Sequence, residues 1–198
     1  MIEPLIVDLF AEDRAHEELL RPLVERVSRE EARLVRLRVR SARGGHGVVL
    51  GELRAYQRAL LAGQGGGLPD IVIAAIDGNC SPPTRARQKV TRRLDADFAG
   101  RCILACPDPH VERWYLADLQ AFHAVVGHTP SVPEAKCERD LYKGLLAQAI
   151  VDGGHPATLG GLEFAAELAH AMDFARAGKA SRSLKRFIDD LRRRLRSA

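Results

Sequence analysis

Three acidic residues stand where short apolar runs end. Glu12 follows Leu5-Ile6-Val7-Asp8-Leu9-Phe10-Ala11, Asp77 follows Ile71-Val72-Ile73-Ala74-Ala75-Ile76, and Glu112 comes shortly after Cys102-Ile103-Leu104-Ala105-Cys106. If the runs are strands of one parallel sheet, their carboxyl ends lie on one edge, where open α/β sheets place their ligands. Carboxylates gathered there repel one another unless a cation neutralises them. Hard oxygen ligands of this kind suit Mg²⁺ or Mn²⁺, which commonly hold substrate phosphates as well. Without the cation, the pKa values of the cluster are expected to rise. Each acid alone equally suits the N-terminus of a helix, where the dipole favours negative charge. Asp77-Gly78 alone also reads as a turn; the three acids together favour the metal.

Other reactive side chains carry weaker signals. His110 suits a ligand, a general base or a helix cap. Cys102, Cys106 and His110 are spaced for zinc on a helix, but Pro107 and Pro109 break any helix there. Trp114, one turn into a helix, reads as a packing anchor more than as a stacking platform. Cys80, Cys102, Cys106 and Cys137 contain no Cys-x-x-Cys pair. With no secretion signal pattern they read as reduced thiols of a cytoplasmic protein. No apolar run is long enough to span a bilayer, so no membrane partner is expected. No glycine-rich Gly-x-x-x-x-Gly-Lys-Ser/Thr loop is present, so the chain is not expected to hydrolyse nucleotides itself.

The elements that position these residues alternate. Residues 4–11 read as a strand and 15–32 as a helix, with Leu19, Leu20, Leu23, Val24 and Val27 on one face and Pro22 as an irregularity near its start. Residues 33–40 alternate basic with apolar and read as a half-exposed strand near a sheet edge. Residues 43–47 read as a loop, 49–62 as a helix and 63–69 as a flexible connection. The unbroken apolar run 71–76 reads as a strand covered on both faces. A helix over 84–98, a strand over 102–106 and a helix from about Val111 follow. The fold expected is α/β, a mostly parallel sheet with helices on both faces over residues 1–128. After Ser131 only helical patterning remains, with 164–177 and 183–195 as the last helices, so 129–198 is expected to be a helical extension packed on the core. At 46% hydrophobic but only 5% aromatic, the core must be built from Leu, Val, Ile and Ala. The net charge of +4 permits a polyanionic partner, and the basic residues gather at the C-terminus: Arg182, Lys185, Arg186 and Arg193, with Arg192, Arg194 and Arg196. Asp189 and Asp190 offset them locally, and a solvated helix face competes with phosphate contact as their role.

With Glu12 and Asp77-Gly78-Asn79 each closing an apolar strand, the sequence resembles the Toprim domain, and most closely the OLD-type (overcoming lysogenization defect) nucleases and their short standalone relatives. In that family a second Glu follows the first by one helical turn. The counterpart here is Glu12-Asp13-Arg14-Ala15-His16-Glu17, in which Asp13, His16 or Glu17 takes the second role. The family's Asp-x-Asp looks like Asp77-Gly78-Asn79, where Asn79 keeps an oxygen ligand but brings no charge. The later acid looks like Glu112 and the late lysine like Lys185 or Lys179. The resemblance implies a Mg²⁺- or Mn²⁺-dependent nuclease with Glu12, Asp77, Glu112 and Lys185 catalytic, and Glu17 and Asn79 at the margin of the metal site. It also implies a separately encoded ATPase partner, self-association to a homodimer, and a role in bacterial anti-phage defence. A non-catalytic Toprim-like module that binds nucleic acid or protein, and a phosphotransfer or RNA-processing enzyme, are the other readings.

Overall fold

The computed structural model describes residues 3–40, 44–64, 66–79, 81–135, 138 and 140–198. Cys80, Cys137, Arg43 and Gly65 lie outside the described residues. Four strands form one sheet: β1 (Leu5–Ala11), β2 (Val35–Val39), β3 (Ile71–Ala75) and β4 (Cys102–Ala105). All pairings are parallel and the order is β2-β1-β3-β4. The register sets Ala11 against Ala75 and Ala75 against Ala105, so β1, β3 and β4 end at one level. β2 is an edge strand, as its alternation suggested. Its basic residues have a partner inside: Asp8 of β1 is fully buried, receives Arg38 Nη2 at 2.9 Å and Tyr56 Oη, and lies 3.3 Å from Arg40.

Ten α-helices lie among the described residues: α1 (Arg14–Glu30), α2 (His46–Leu61), α3 (Pro83–Thr91), α4 (Ala96–Ala99), α5 (Glu112–Tyr115), α6 (Leu119–Val126), α7 (Leu141–Asp152), α8 (Ala165–Ala171), α9 (Phe174–Ala180) and α10 (Arg182–Ser197). They cover both faces of the sheet. Val7, Leu9, Ile71, Ile73 and Ile103 face α1, α6, α8 and α10, while Phe10, Val72, Ala74, Ile76 and Leu104 face α2, α3 and Phe98. β3 is buried along its whole length, as a continuous apolar run requires in the middle of a parallel sheet. No helix of the described residues is long and apolar enough to cross a membrane.

Several boundaries differ from those the sequence predicts. α1 starts at Arg14, capped by Asp13, whose side chain accepts from His16 N, and it continues through Pro22 without that residue moving its start. α2 begins at His46, inside the segment read as a loop. The helix expected over 84–98 is two, because buried Gln57 of α2 enters the break. Its Nε2 donates to Arg93 O at 2.9 Å and its Oε1 accepts from Asp95 N at 2.8 Å. The helix expected over 164–177 is also two. Asp173 caps α9 by accepting from Ala175 N and Arg176 N, both at 2.8 Å, while Arg26 of α1 donates to Met172 O at 2.6 Å.

Candidate functional site

The shared level of β1, β3 and β4 places Glu12 and the loops carrying Asp77 and Glu112 on one edge. Glu12 Oε2 accepts from the Asp77 backbone N–H at 2.9 Å and lies 3.4 Å from His46 Nδ1. Glu12 therefore positions the turn after β3. Gly78 lets that turn approach the next loop: Gly78 N donates to Pro107 O at 2.8 Å and Asn79 N to Pro109 O at 2.9 Å. A Cβ at Gly78 would lie 2.8 Å from Pro107 O, closer than real side chains come. Asn79 has a φ of 52°, a left-handed conformation in which Asn is several-fold enriched. Backbone geometry thus gives a reason for Asn where the resemblance has an acid.

Asp77 is the centre of the group. Oδ1 accepts from Val111 N at 2.9 Å, Oδ2 is 3.0 Å from His110 Nδ1, and Oδ1 is 3.1 Å from His16 Nε2. The last contact is a close approach and not a hydrogen bond. His16, fully buried on α1, reaches Asp13 Oδ1 through Nδ1 at 2.8 Å and so bridges two carboxylates. Burial pulls the His16 pKa down, but Asp77 and Asp13 outweigh it and raise it to about 10. Burial likewise pushes Asp77 up, and His16 and His110 overcome it, leaving the carboxyl at about 2. His110 is raised chiefly by its hydrogen bond to Asp77. The expectation that all the carboxylates rise is corrected for Asp77: the imidazoles of His16 and His110 lie against it and hold its pKa down. Glu112 behaves as expected. Burial raises its pKa, Asp77 and Asp13 add to the rise, and its own backbone amide works against it.

Asp13, Asp77, Asn79, His110, Glu112 and Lys143 line one open cavity of about 260 Å³. Lys143, on α7, is the residue sequence reasoning missed. Nothing in its local pattern marks it, because only the docking of α7 beside α5 brings it there. The late lysines read from the sequence lie elsewhere: Lys185 pairs with Asp189 one turn along α10 and Lys179 is exposed, neither lining this cavity. Of the three residues weighed for the second acidic role, Asp13 lines the cavity, His16 touches Asp77, and Glu17 pairs with Arg21 at 3.2 Å along α1. Arg182 is exposed, and Arg186 and Arg193 lie 3.9 Å and 3.0 Å from Asp190. Trp114 is a packing anchor, stacked on Phe187 at 5.6 Å with Nε1 donating to Ser183 Oγ. Cys102 and Cys106 are free thiols whose pKa burial pushes up to about 12.

Among the described residues no three His, Cys, Asp or Glu side chains stand arranged as a metal-holding group. The donor types, though not a formed group, match Mg²⁺ or Mn²⁺: Asp13, Asp77 and Glu112 bring carboxylates, and Asn79 an amide oxygen, to one cavity. The observation in favour is Glu112, a half-buried carboxyl whose pKa burial raises and Asp77 and Asp13 raise further. Asp13, Asp77 and Glu112 are the residues that would hold the cation, with Glu12 set behind them. No family model matches the chain, and neither a curated protein nor a solved structure does.

Proposed function

We propose that the chain is a nuclease, hydrolysing phosphodiesters of DNA or RNA with Mg²⁺ or Mn²⁺ in the Asp77 cavity. The observation that carries this reading is the three carboxylates Asp13, Asp77 and Glu112 lining one cavity at the carboxyl edge of a parallel sheet, with the half-buried Glu112 held above its ordinary pKa chiefly by burial. Bound there, a divalent cation supplies an activated water and neutralises charge on the scissile phosphate. The chain's own groups do the rest. Glu12 fixes the turn that presents Asp77. His110, oriented through Nδ1 by Asp77 and raised in pKa, carries a proton that it gives to the leaving oxygen. Lys143, in place of Lys185, stabilises the charge on the non-bridging oxygens.

The test is incubation of purified protein with plasmid DNA and with RNA, in Mg²⁺, Mn²⁺ or EDTA, beside Glu112→Gln. Cleavage by the wild type with metal, lost in EDTA and in the variant, is the expected result. Equal cleavage in EDTA, or wild-type rates from Glu112→Gln, overturns it. The non-catalytic binding module then takes its place, a reading favoured by the two imidazoles already packed against Asp77. A separate ATPase, a homodimer, a cytoplasmic location and a part in anti-phage defence belong to the same proposal. The location rests on the cysteine pattern and the lack of a secretion signal pattern, and the others on the resemblance and the lack of a phosphate-binding loop in the sequence. Co-purification with an ATPase tests the first of these.

A further inference from the structure

We infer that the groove between α3 and α10, over the free edge of β4, binds the phosphates of a polynucleotide, extending the Asp77 site into a backbone track. The groove, of about 330 Å³, is lined by Arg87 of α3, by Arg193, Arg194 and Ser197 of α10, and by Cys102 at the start of β4. The charge on the two sides of α10 is uneven. Toward α1, Arg192 and Arg196 meet Glu30 and Glu31 at 2.8 Å and 2.6 Å. Toward α3, Asp190 is the one carboxylate among the described residues that serves Arg87 at 3.7 Å, Arg186 at 3.9 Å and Arg193 at 3.0 Å. Arg194 also faces the groove, its Nη2 donating to Asp70 O at 3.0 Å while its buried Nε has no partner. Three guanidinium groups around one carboxylate, with a fourth, Arg194, beside them, leave an excess of positive charge that an anion would complete.

The kind of anion follows from the side chains. Guanidinium forks match phosphate oxygens bidentately. No aromatic side chain lines the groove, so nothing there stacks on bases, and contact is to backbone without regard to sequence. The direction follows from α10. Its first turn meets the active edge, where Ser183 Oγ accepts from Asp108 N at 3.2 Å, and its far end reaches Asp70 before β3. Sixteen residues of helix span about 24 Å, enough for several nucleotides of one strand.

The inference rests on the nuclease reading for the identity of the polyanion, and its test separates the two. A fluorescently labelled double-stranded DNA oligonucleotide is titrated by anisotropy in EDTA, which prevents metal-dependent cleavage, at several NaCl concentrations between about 50 and 200 mM. Arg87→Gln/Arg193→Gln should weaken binding and flatten the dependence of log K on log salt by about 2, roughly 0.9 for each phosphate no longer neutralised. Asp190→Asn should tighten binding, and it guards against misfolding of the double variant. Unchanged affinity and slope in both variants overturns the inference. So does polyglutamate competing as well as the oligonucleotide at equal charge, which would mark a site for acidic protein instead. Intact groove binding without cleavage under any metal would end the nuclease reading alone. Cleavage with an unchanged slope would end the groove alone.

Discussion

Glu112 and Asp77 share a cavity yet respond oppositely to it, and the difference decides which substitution is informative. Glu112 is pushed toward the neutral form by burial and by two nearby carboxylates. Glu112→Gln keeps its shape and relieves that repulsion, so thermal unfolding should show a midpoint equal to or above the wild type while cleavage is lost. Asp77 holds the buried, charged His16 and the Val111 amide. Asp77→Asn leaves His16 with Asp13 as its one anionic partner, and should lower the unfolding free energy by about 3 kcal/mol, read by urea denaturation at neutral pH. A variant as stable as the wild type would show that His16 is neutral. Its place at a strand end, outside the core, would by itself let Asp77 be replaced with the fold intact. The cost comes from His16 and His110, which arrive from other elements. The shared edge of Asp77 and Glu112 was legible, since one closes an apolar run and the other follows one within a few residues, and His110 stands two residues before Glu112. Lys143 was not, because its position depends on how α7 docks and not on any local pattern.

At the scale of elements, strands were read closely because β-branched runs bounded by Gly, Pro and Asp have few alternatives. Helix breaks were missed where a distant side chain imposes them, as Gln57 does between α3 and α4. Asp118 shows the same principle at the start of α6. Nearly fully buried, it accepts from Ala121 N at 3.3 Å, from Asp173 N at 2.7 Å, and from Arg176 Nε and Nη2 at 3.0 Å and 2.9 Å. One carboxylate thus caps α6 and ties it to the start of α9. Burial pushes its pKa up, but Arg176 and the amides outweigh that and hold it below the usual carboxyl range. A depressed folded pKa adds stability in full above the unfolded value near 3.9 and loses it as pH falls through the folded one. Asp118→Ala should therefore cost about 2 kcal/mol at pH 6, a cap plus a half-exposed ion pair. The gap to the wild type should narrow below about pH 4, measured by denaturation across that range. A gap that stays constant down to pH 2 would show that the charge of Asp118 contributes nothing.

At the scale of the molecule, the sequence divides at about residue 128, where strand–helix alternation stops. Its amphipathic patterns tell that the later helices bury a face, but not which surface receives it. α8 packs on α1, and α10 on β4 and α1. One apolar cluster runs from Val7 and Ile73 of the sheet through Leu168 to Phe187 and Leu191. α10 alone buries Leu184, Phe187, Ile188, Leu191 and Leu195, each 2% exposed or less. At roughly 2 kcal/mol for each such side chain, that burial is worth on the order of 10 kcal/mol as an upper bound. The whole stability of a domain is about 5–15 kcal/mol. Residues 1–181 alone should then fail to fold cooperatively, because removing α10 uncovers both β4 and the α1 face. Far-ultraviolet circular dichroism on heating should show a broad, shallow loss of signal in that fragment and a sharp transition in the full chain. A sharp transition in the fragment within a few degrees of the full chain would make α10 an appendage, and the groove it forms with α3 would then be dispensable to the fold.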